Sequence, residues 1–293
     1  MSVSLAILIL YIIALFGISW FAKKRSEGNA ENYALAGRRL SAPLIAVTII
    51  GLAVGGASTI GVSEHAFRVG LSAGWYTIAW AIGAIVMGIF MAKKYREQNI
   101  TTISELIERH HGTNAVILGV FCQIVIQLVI ISLQYIAGGS ILHAIMPEVF
   151  DFKTGMLVSA ITFISITFIG GMWSASLIYF GIVAATFIQL DKVGGIDTLA
   201  KTLPANVPWF SFTEGVGLKT IASWVITLVT VNLSLQSILQ ISLGAKDAAT
   251  ARKGFVWGGI IMLPVGVLAA LLGICAKSMY PDAQAALALP QVI

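Results

Sequence analysis

The sequence contains little charge. Only 11% of its 293 residues are Asp, Glu, Lys or Arg, whereas 58% are hydrophobic and the mean hydropathy is +0.92. A soluble domain carries about 25% charged residues, so these side chains are too few to cover the surface of a soluble protein of this length. The apolar content also excludes an intrinsically disordered chain. The composition therefore predicts a membrane protein.

Cysteine and catalytic patterns are scarce as well. The two cysteines, Cys122 and Cys275, lie in apolar runs without an obvious partner, which excludes a disulfide scaffold. The sequence shows no catalytic triad, metal-ligand cluster or phosphate-binding loop, and no apolar run carries an ionisable pair able to do acid–base chemistry. We therefore predict neither an enzyme nor a bound cofactor.

Eight charge-free runs are candidates for membrane-spanning helices, each of which needs about 20 predominantly apolar residues. In chain order, these spans are Val3–Ala22, Pro43–Val62, Gly74–Ala92, Asn114–Leu142, Thr154–Ile169, Ser176–Leu190, Thr220–Leu243 and Gly254–Ala276. We predict an all-α polytopic membrane protein with about eight transmembrane helices. The fifth and sixth spans have only 16 and 15 residues, which suggests a local deletion near 171–180.

Basic residues are distributed unevenly between the two sides of the membrane. Alternating the connections places 12 of the 18 Lys and Arg residues on the side that contains 23–42, while the acidic residues divide almost evenly. Cytoplasmic loops carry the excess of basic residues, so we predict a multi-pass plasma-membrane protein with its N-terminus outside. These basic residues flank spans and form no aromatic–basic patch, so the predicted partner is the lipid bilayer and not a nucleic acid.

Two connections carry a helical pattern. Within Lys93–Gly112, apolar residues recur at near-helical spacing with charged residues opposite, which predicts a short amphipathic surface helix. The external segment 191–219 contains two prolines and reads as a loop with one short helix.

The second span is rich in glycine. Four glycines and two hydroxyl residues lie between Gly51 and Gly61, and each glycine weakens a helix by about 1 kcal/mol relative to alanine. A broken helix persists in a membrane where its free carbonyl and amide groups line a cavity or hold an ion. Close helix packing is the alternative, because Gly51-x-x-x-Gly55 is also a small-residue contact motif.

The fourth span carries three glutamines on one helical face. Gln123, Gln127 and Gln134 are separated by four and seven residues, which places them on the same side of a helix. We expect this face to turn toward the helix bundle and away from lipid.

The end of the second span resembles the sodium/solute symporter family. Members of that family carry a Gly-x-x-x-x-Ala-Tyr-x-x-Gly element after a broken helix, and this chain has Gly61-Val-Ser-Glu-His-Ala-Phe-Arg-Val-Gly70. Other similar segments follow in the family's order: Glu31–Arg38, Thr101–Arg109, Gly170–Trp173, Leu235–Gln240 and Ala245–Arg252.

This resemblance implies a leucine-transporter-like bundle of two inverted five-helix repeats, preceded by one extra N-terminal helix. A solute would bind near the membrane midplane between the broken first helices of the repeats, and Na⁺ would drive its uptake as the coupling ion. The implied regions are 1–42 for the extra helix and loop, 43–190 for the first repeat, 191–218 for an external loop, 219–276 for two helices of the second repeat, and 277–293 for an external segment.

The resemblance also implies site residues. The family's cation-binding backbone carbonyls fall on Gly51 and Val54, and its solute-facing positions fall on Gly55, Gly56 and Ser58. In the seventh span, Asn232 and Gln236 are candidates for the solute pocket, because amides both donate and accept hydrogen bonds to a neutral or zwitterionic solute. Interhelical hydrogen bonding is the alternative role for these amides.

The sequence departs from the family in its extent. It ends within the segment that precedes the eighth core helix, on which the family places two hydroxyl ligands of Na⁺. We therefore expect an incomplete bundle that does not transport alone and that a second polypeptide would complete.

The functions that remain open are Na⁺-coupled uptake of a small organic solute by alternating access and, as the alternative, a non-transporting sensor or regulatory module or a degenerate symporter remnant. The sequence does not identify the solute or decide between Na⁺ and H⁺ as the coupling ion.

Overall fold

A computed structural model shows the fold of residues 35–170 and 188–283, with Thr186, Ala285 and a few positions between 9 and 20. Most of the first and sixth spans and the deletion expected near 171–180 lie outside the described residues. Where the structure describes the chain, it is helical without a β-strand, and Leu40 and Ala245 form an isolated parallel bridge.

The helices follow the spans predicted from the sequence. In chain order they are α1 (Ala42–Ala53), α2 (Val62–Val69), α3 (Trp75–Val86), α4 (Ala92–Glu97), α5 (Ile103–His111), α6 (Thr113–Ile145), α7 (Phe152–Gly170), α8 (Gly195–Thr202), α9 (Leu218–Ser234), α10 (Gln236–Leu243) and α11 (Ala248–Met279). The second span is thus divided between α1 and α2, and the seventh between α9 and α10. Helix α6 is the fourth span and α11 the eighth.

Several described helices are long and apolar enough to cross a membrane. Three stretches qualify by length and composition, namely Ala57–Glu97, Thr113–Ala144 and Ala248–Met279, and the pair α9 and α10, bent by 52°, would be a fourth. Within the first stretch, Gly70 has φ +76° and ψ −155°, so α2 and α3 are separate helices on either side of it. The described residues thus support several spans without confirming the number eight.

The helices predicted in two of the connections are confirmed. The amphipathic pattern before Gly112 forms α5, and the segment 191–219 contains α8. Helix α7 has 19 residues and begins before Thr154, so the fifth span is longer than its charge-free run.

Polar side chains cap the starts of α5 and α11. The Thr102 hydroxyl accepts from the backbone N–H of Glu105 and caps α5. The Asp247 carboxylate accepts from the N–H of Thr250 over 2.7 Å and caps α11. Both are side-chain caps of the kind that satisfies unpaired N–H groups at a helix start.

Helix α11 is the centre of the described core and packs against α1, α2 and α3. Its glycines allow this close approach: a Cβ on Gly266 would overlap the backbone carbonyl of Gly74, and one on Gly273 would overlap that of Ser63. Helix α9 packs on α3, whereas α6 packs mainly on α7 and α5.

Candidate functional site

The second span is interrupted at Val54 and Gly55. Helix α1 ends at Ala53, and Val54 leaves the helical conformation with φ −88° and ψ 67° while its N–H still donates to the carbonyl oxygen of Ile50. The chain regains a helical path in the π-helical turn Ala57–Gly61, which leads into α2. The glycine-rich segment therefore forms a broken helix, as its composition predicts.

Hydroxyl groups satisfy part of the broken backbone. The Ser58 hydroxyl donates to the carbonyl oxygen of Ala53 over 2.5 Å, and the Thr59 hydroxyl donates to that of Gly55 over 2.9 Å. From α3, the Thr77 hydroxyl donates to the carbonyl oxygen of Ser58 over 3.2 Å. Ser58 is 1% exposed, so it stabilises the break from within.

The carbonyl groups of Gly51 and Val54 remain open. Among the described residues, no group donates a hydrogen bond to either oxygen, because Gly55 no longer continues the helix and the N–H of Ser58 donates to the Gly55 carbonyl oxygen instead. Val54 itself is fully buried. Unwound backbone carbonyls at such a position are the type of ligand that coordinates Na⁺ in transporters.

Gly55 and Gly56 face helix α6. A Cβ on Gly56 would overlap the Cβ of Ala137, and a Cβ on Gly55 would overlap the carboxamide of Gln134. The amide N–H of Gly56 donates to Oε1 of Gln134 over 2.8 Å. The glycines therefore serve both predicted roles, because the helix is broken at this segment and the segment also packs closely against α6.

The seventh span is interrupted at Leu235. Helix α9 ends at Ser234, Leu235 is extended with φ −74° and ψ 130°, and α10 begins at Gln236. The Gln123 carboxamide of α6 bridges this break: its Nε2 donates to the carbonyl oxygen of Ser234 over 3.1 Å, and its Oε1 accepts from the N–H of Gln236 over 3.3 Å. The predicted glutamine face of the fourth span thus points into the bundle.

Asn232 lies in the core just before the second break. It is 1% exposed, and its Nδ2 donates to the carbonyl oxygen of Leu228 over 2.8 Å. It packs on Gly83 of α3, where a Cβ would lie 2.5 Å from Nδ2. Its Oδ1 has no hydrogen-bond donor among the described residues. A buried acceptor without a donor is costly unless another group reaches it.

Gln236 lies just after that break and points toward helix α5. Its Oε1 accepts from the N–H of Ile103 over 2.7 Å, at the start of α5. Gln236 also lines a cavity of about 420 Å³ with Thr102, Gln123 and Gln127. Among the sequence-predicted site residues, only Gln236 borders this cavity.

The described structure brings the predicted site residues together in two places. Gly51, Val54, Gly55, Gly56 and Ser58 surround the first break, whereas Asn232 and Gln236 flank the second. Among the described residues, no hydrogen bond joins the two sets directly. Sequence reasoning missed the roles of Gln123, Gln134 and Thr77. The spacing of the glutamines was the available signal for the first two.

The described residues contain two interrupted helices, and discontinuous helices form the substrate and ion sites of many secondary transporters. The sequence model of the "Sodium:solute symporter family" matches residues 33–292. The chain therefore belongs to the sodium:solute symporter family.

Relatives and a solved structure agree with this assignment. The chain is 24% identical to the sodium/glucose cotransporter of Vibrio parahaemolyticus, over 96% of this chain and 56% of that protein. It is 23% identical to the sodium/pantothenate symporter of Escherichia coli, over 94% of this chain and 60% of that protein. The fold matches the substrate-bound outward-open state of a Na⁺-coupled sialic acid symporter with a TM-score of 0.83 and 14% identity, over 99% of this chain and 65% of that one. The chain thus spans little more than half the length of these relatives.

Proposed function

We propose that this protein takes part in Na⁺-coupled uptake of a small organic solute across the plasma membrane by alternating access. The observation that carries the proposal is the interrupted second span, whose open carbonyls at Gly51 and Val54 are suited to a hard cation. Membership of the family and the names of its relatives, which are Na⁺ symporters of glucose and pantothenate, support it.

In this proposal the first break binds Na⁺ and one side of the solute, and the second break binds the other side of the solute. The backbone carbonyl oxygens of Gly51 and Val54 supply part of the Na⁺ shell. Gly55, Gly56 and Ser58 border the solute on one side, and Asn232 and Gln236 border it on the other. The buried Oδ1 of Asn232 supports a role in solute binding, because a hydroxyl or ammonium donor of a solute would satisfy it.

The proposal also includes the architecture that the resemblance implies. Residues 43–190 form the first repeat, 219–276 begin an inverted second repeat, and the N-terminus lies outside. The division of α1 from α2 and of α9 from α10 supports it, because each break falls in the first helix of its proposed repeat.

Na⁺ binding by the purified 293-residue protein in lipid nanodiscs is the direct test. Hydrogen–deuterium exchange of a peptide covering 50–60 should slow when Na⁺ replaces K⁺ at equal ionic strength, because a bound cation restrains the broken backbone. A peptide from the middle of α11 is the matched control. At Na⁺ concentrations 100 times Kd, binding would stabilise the folded protein by about 2.7 kcal/mol. Identical exchange in Na⁺ and K⁺ would contradict the cation site.

Solute coupling requires a separate measurement. Proteoliposomes would be tested with radiolabelled D-glucose, L-proline and pantothenate under a Na⁺ or a K⁺ gradient. In any preparation that transports, Asn232→Ala should raise the KM for the solute about tenfold, and Ser58→Ala and Gln236→Ala are tested beside it. An unchanged KM in all three variants would remove these residues from the site. Na⁺-dependent uptake by the 293-residue protein alone would contradict the prediction that it does not transport by itself.

A further inference from the structure

Seven of the described helices form two groups by their packing. Helices α1, α2 and α3 pack on α11, and α9 packs on α3; we call these five helices the α11 group. Helix α6 packs on α7 and on α5, and we call α6 and α7 the α6 group. The main packing of α6 on the α11 group is at the turn Ala57–Gly61, directly after the first break. The interface between the groups therefore lies close to the interrupted backbone.

Gln134 joins the two groups at the first break. The amide N–H of Gly56 lost its helical acceptor when the chain bent at Val54, and Oε1 of Gln134 replaces that acceptor at 2.8 Å. The orientation of the carboxamide is fixed by chemistry, since a backbone N–H requires an oxygen as partner. In this contact Gln134 acts as an acceptor.

Gln123 joins the two groups at the second break. It donates from Nε2 to the carbonyl oxygen of Ser234 and accepts at Oε1 from the N–H of Gln236. One carboxamide therefore satisfies both a carbonyl group and an N–H group that the break leaves without a helical partner. Gln123 and Gln134 are eleven residues apart, about three helical turns, and therefore share one face of α6. A single continuous helix thus holds both discontinuous ones.

We propose that Gln123 and Gln134 are positioning residues that fasten the two helix breaks to α6, and that these hydrogen bonds must open before the α6 group can move relative to the α11 group. The inference rests on the proposed function, because alternating access requires one group of helices to move against another. Neither glutamine needs to contact the solute. Their effect is on the equilibrium between two arrangements of the helices.

Gln127 provides the matched control. It lies between the two positioning residues on the same face and borders the same cavity as Gln123. No hydrogen bond from its side chain to either break is recorded within the described residues. Replacing Gln127 by leucine therefore removes an amide of the same type from the same helix without opening a break.

The test measures the separation of the groups directly in the full chain. A spin label on the exposed Cys122 of α6 and a second on Trp257→Cys of α11, in a Cys275→Ala background, report the distance between the groups in lipid nanodiscs. No Na⁺ gradient or solute is added. In the labelled chain with all three glutamines intact, and in the same chain with Gln127→Leu, one distance should dominate. In the Gln123→Leu/Gln134→Leu double variant, the population of a second distance should rise about tenfold, as expected for the loss of hydrogen bonds between helices.

Conservative variants separate positioning from general packing. A glutamate oxygen can still accept from the N–H of Gly56, so a chain with Gln134→Glu should keep the single distance seen with both glutamines intact. Gln123→Glu keeps the acceptor for the N–H of Gln236 but loses the donor to the Ser234 carbonyl. Its distance distribution should therefore lie between those of the chain with both glutamines and the double variant. If the double variant does not fold, Gln123→Leu alone carries the test, with an expected rise of about threefold.

Two results would overturn the inference. One is a double variant, or Gln123→Leu in its place, with the same distance distribution as Gln127→Leu. The other is a Gln134→Glu variant in which the second distance is as populated as in the double variant. Because the labels report helix arrangement without transport, failure of Na⁺-driven uptake would count against the proposed function and would leave this measurement unaffected.

Discussion

Nε of Arg96, at the end of α4, donates a hydrogen bond to the carbonyl oxygen of Ala245 over 2.7 Å. Beside it, the N–H of Leu40 donates to the carbonyl oxygen of Gly244, and the N–H of Lys246 donates to that of Leu40, over 3.0 and 3.1 Å. Three parts of the chain that are remote in sequence are thereby joined. This contact closes one end of the α11 group.

Removing the Arg96 guanidinium should weaken this end of the protein. We expect Arg96→Met to lower the free energy of unfolding by about 1–2 kcal/mol, because it leaves the Ala245 carbonyl without a charged donor. Thermal unfolding in detergent measures the change. Lys94→Met on the same helix is the control, since Lys94 is exposed, and it should leave the melting temperature unchanged. Equal melting temperatures for both variants would show that the Arg96 contact contributes no stability.

A methyl group at position 56 should disrupt the packing of the first break. Gly56→Ala places a Cβ against that of Ala137, and overpacking of this kind costs about 1–3 kcal/mol. The compensating change Ala137→Gly, made in the same chain, removes the opposing methyl group and should recover most of the loss. Thermal unfolding of the two single variants and the double variant decides this. A double variant less stable than Gly56→Ala would show that another contact limits the space.

The Asp247 cap should make the start of α11 sensitive to acid. The hydrogen bond from the backbone N–H of Thr250, followed by that from its hydroxyl, lowers the pKa of Asp247. The stabilisation by this carboxylate is therefore complete above the unfolded pKa of about 3.9 and is lost as the pH falls through the lower folded pKa. Asp247→Asn keeps a capping side chain that does not titrate. Between pH 6 and pH 3, the melting temperature of the unaltered protein should fall more than that of Asp247→Asn. Parallel pH profiles would contradict the prediction.

The two cysteines should differ in reactivity. Cys122 lies on the exposed side of α6, whereas Cys275 is fully buried in α11. A membrane-permeant maleimide should therefore modify one thiol per folded chain and two after denaturation, as counted by intact mass. Cys122→Ser should abolish labelling of the folded protein. Rapid modification of Cys275 in that variant would show that α11 is not buried as described.

The first break and the glutamine face could be predicted from the sequence because each rests on a local pattern. Glycine between Gly51 and Gly61 weakens the helix wherever it is placed, and a spacing of four and seven residues places the fourth-span glutamines on one side by helical geometry alone. The same local reasoning identified α5 and α8. Patterns of this kind do not depend on what the helix contacts.

The partners of these residues could not be predicted in the same way. The position of the second break, at Leu235, has no glycine or proline beside it, and it is held by Gln123, more than a hundred residues away. Gln236 was expected at a solute pocket, and its contact with the N–H of Ile103 depends on how α10 and α5 meet in space. Its role in solute binding stays a prediction.

The parallel bridge between Leu40 and Ala245 has a consequence for biosynthesis. The ribosome must make about 200 further residues before the partner of Leu40 exists, which takes about 10–40 s at the usual rates of synthesis. During that time the second and third spans exist without the contacts that later join them to the segment after the seventh span. We therefore expect the early helices to rely on the insertion machinery until residue 245 has been made, and slowing translation before that residue should increase degradation of the nascent chain.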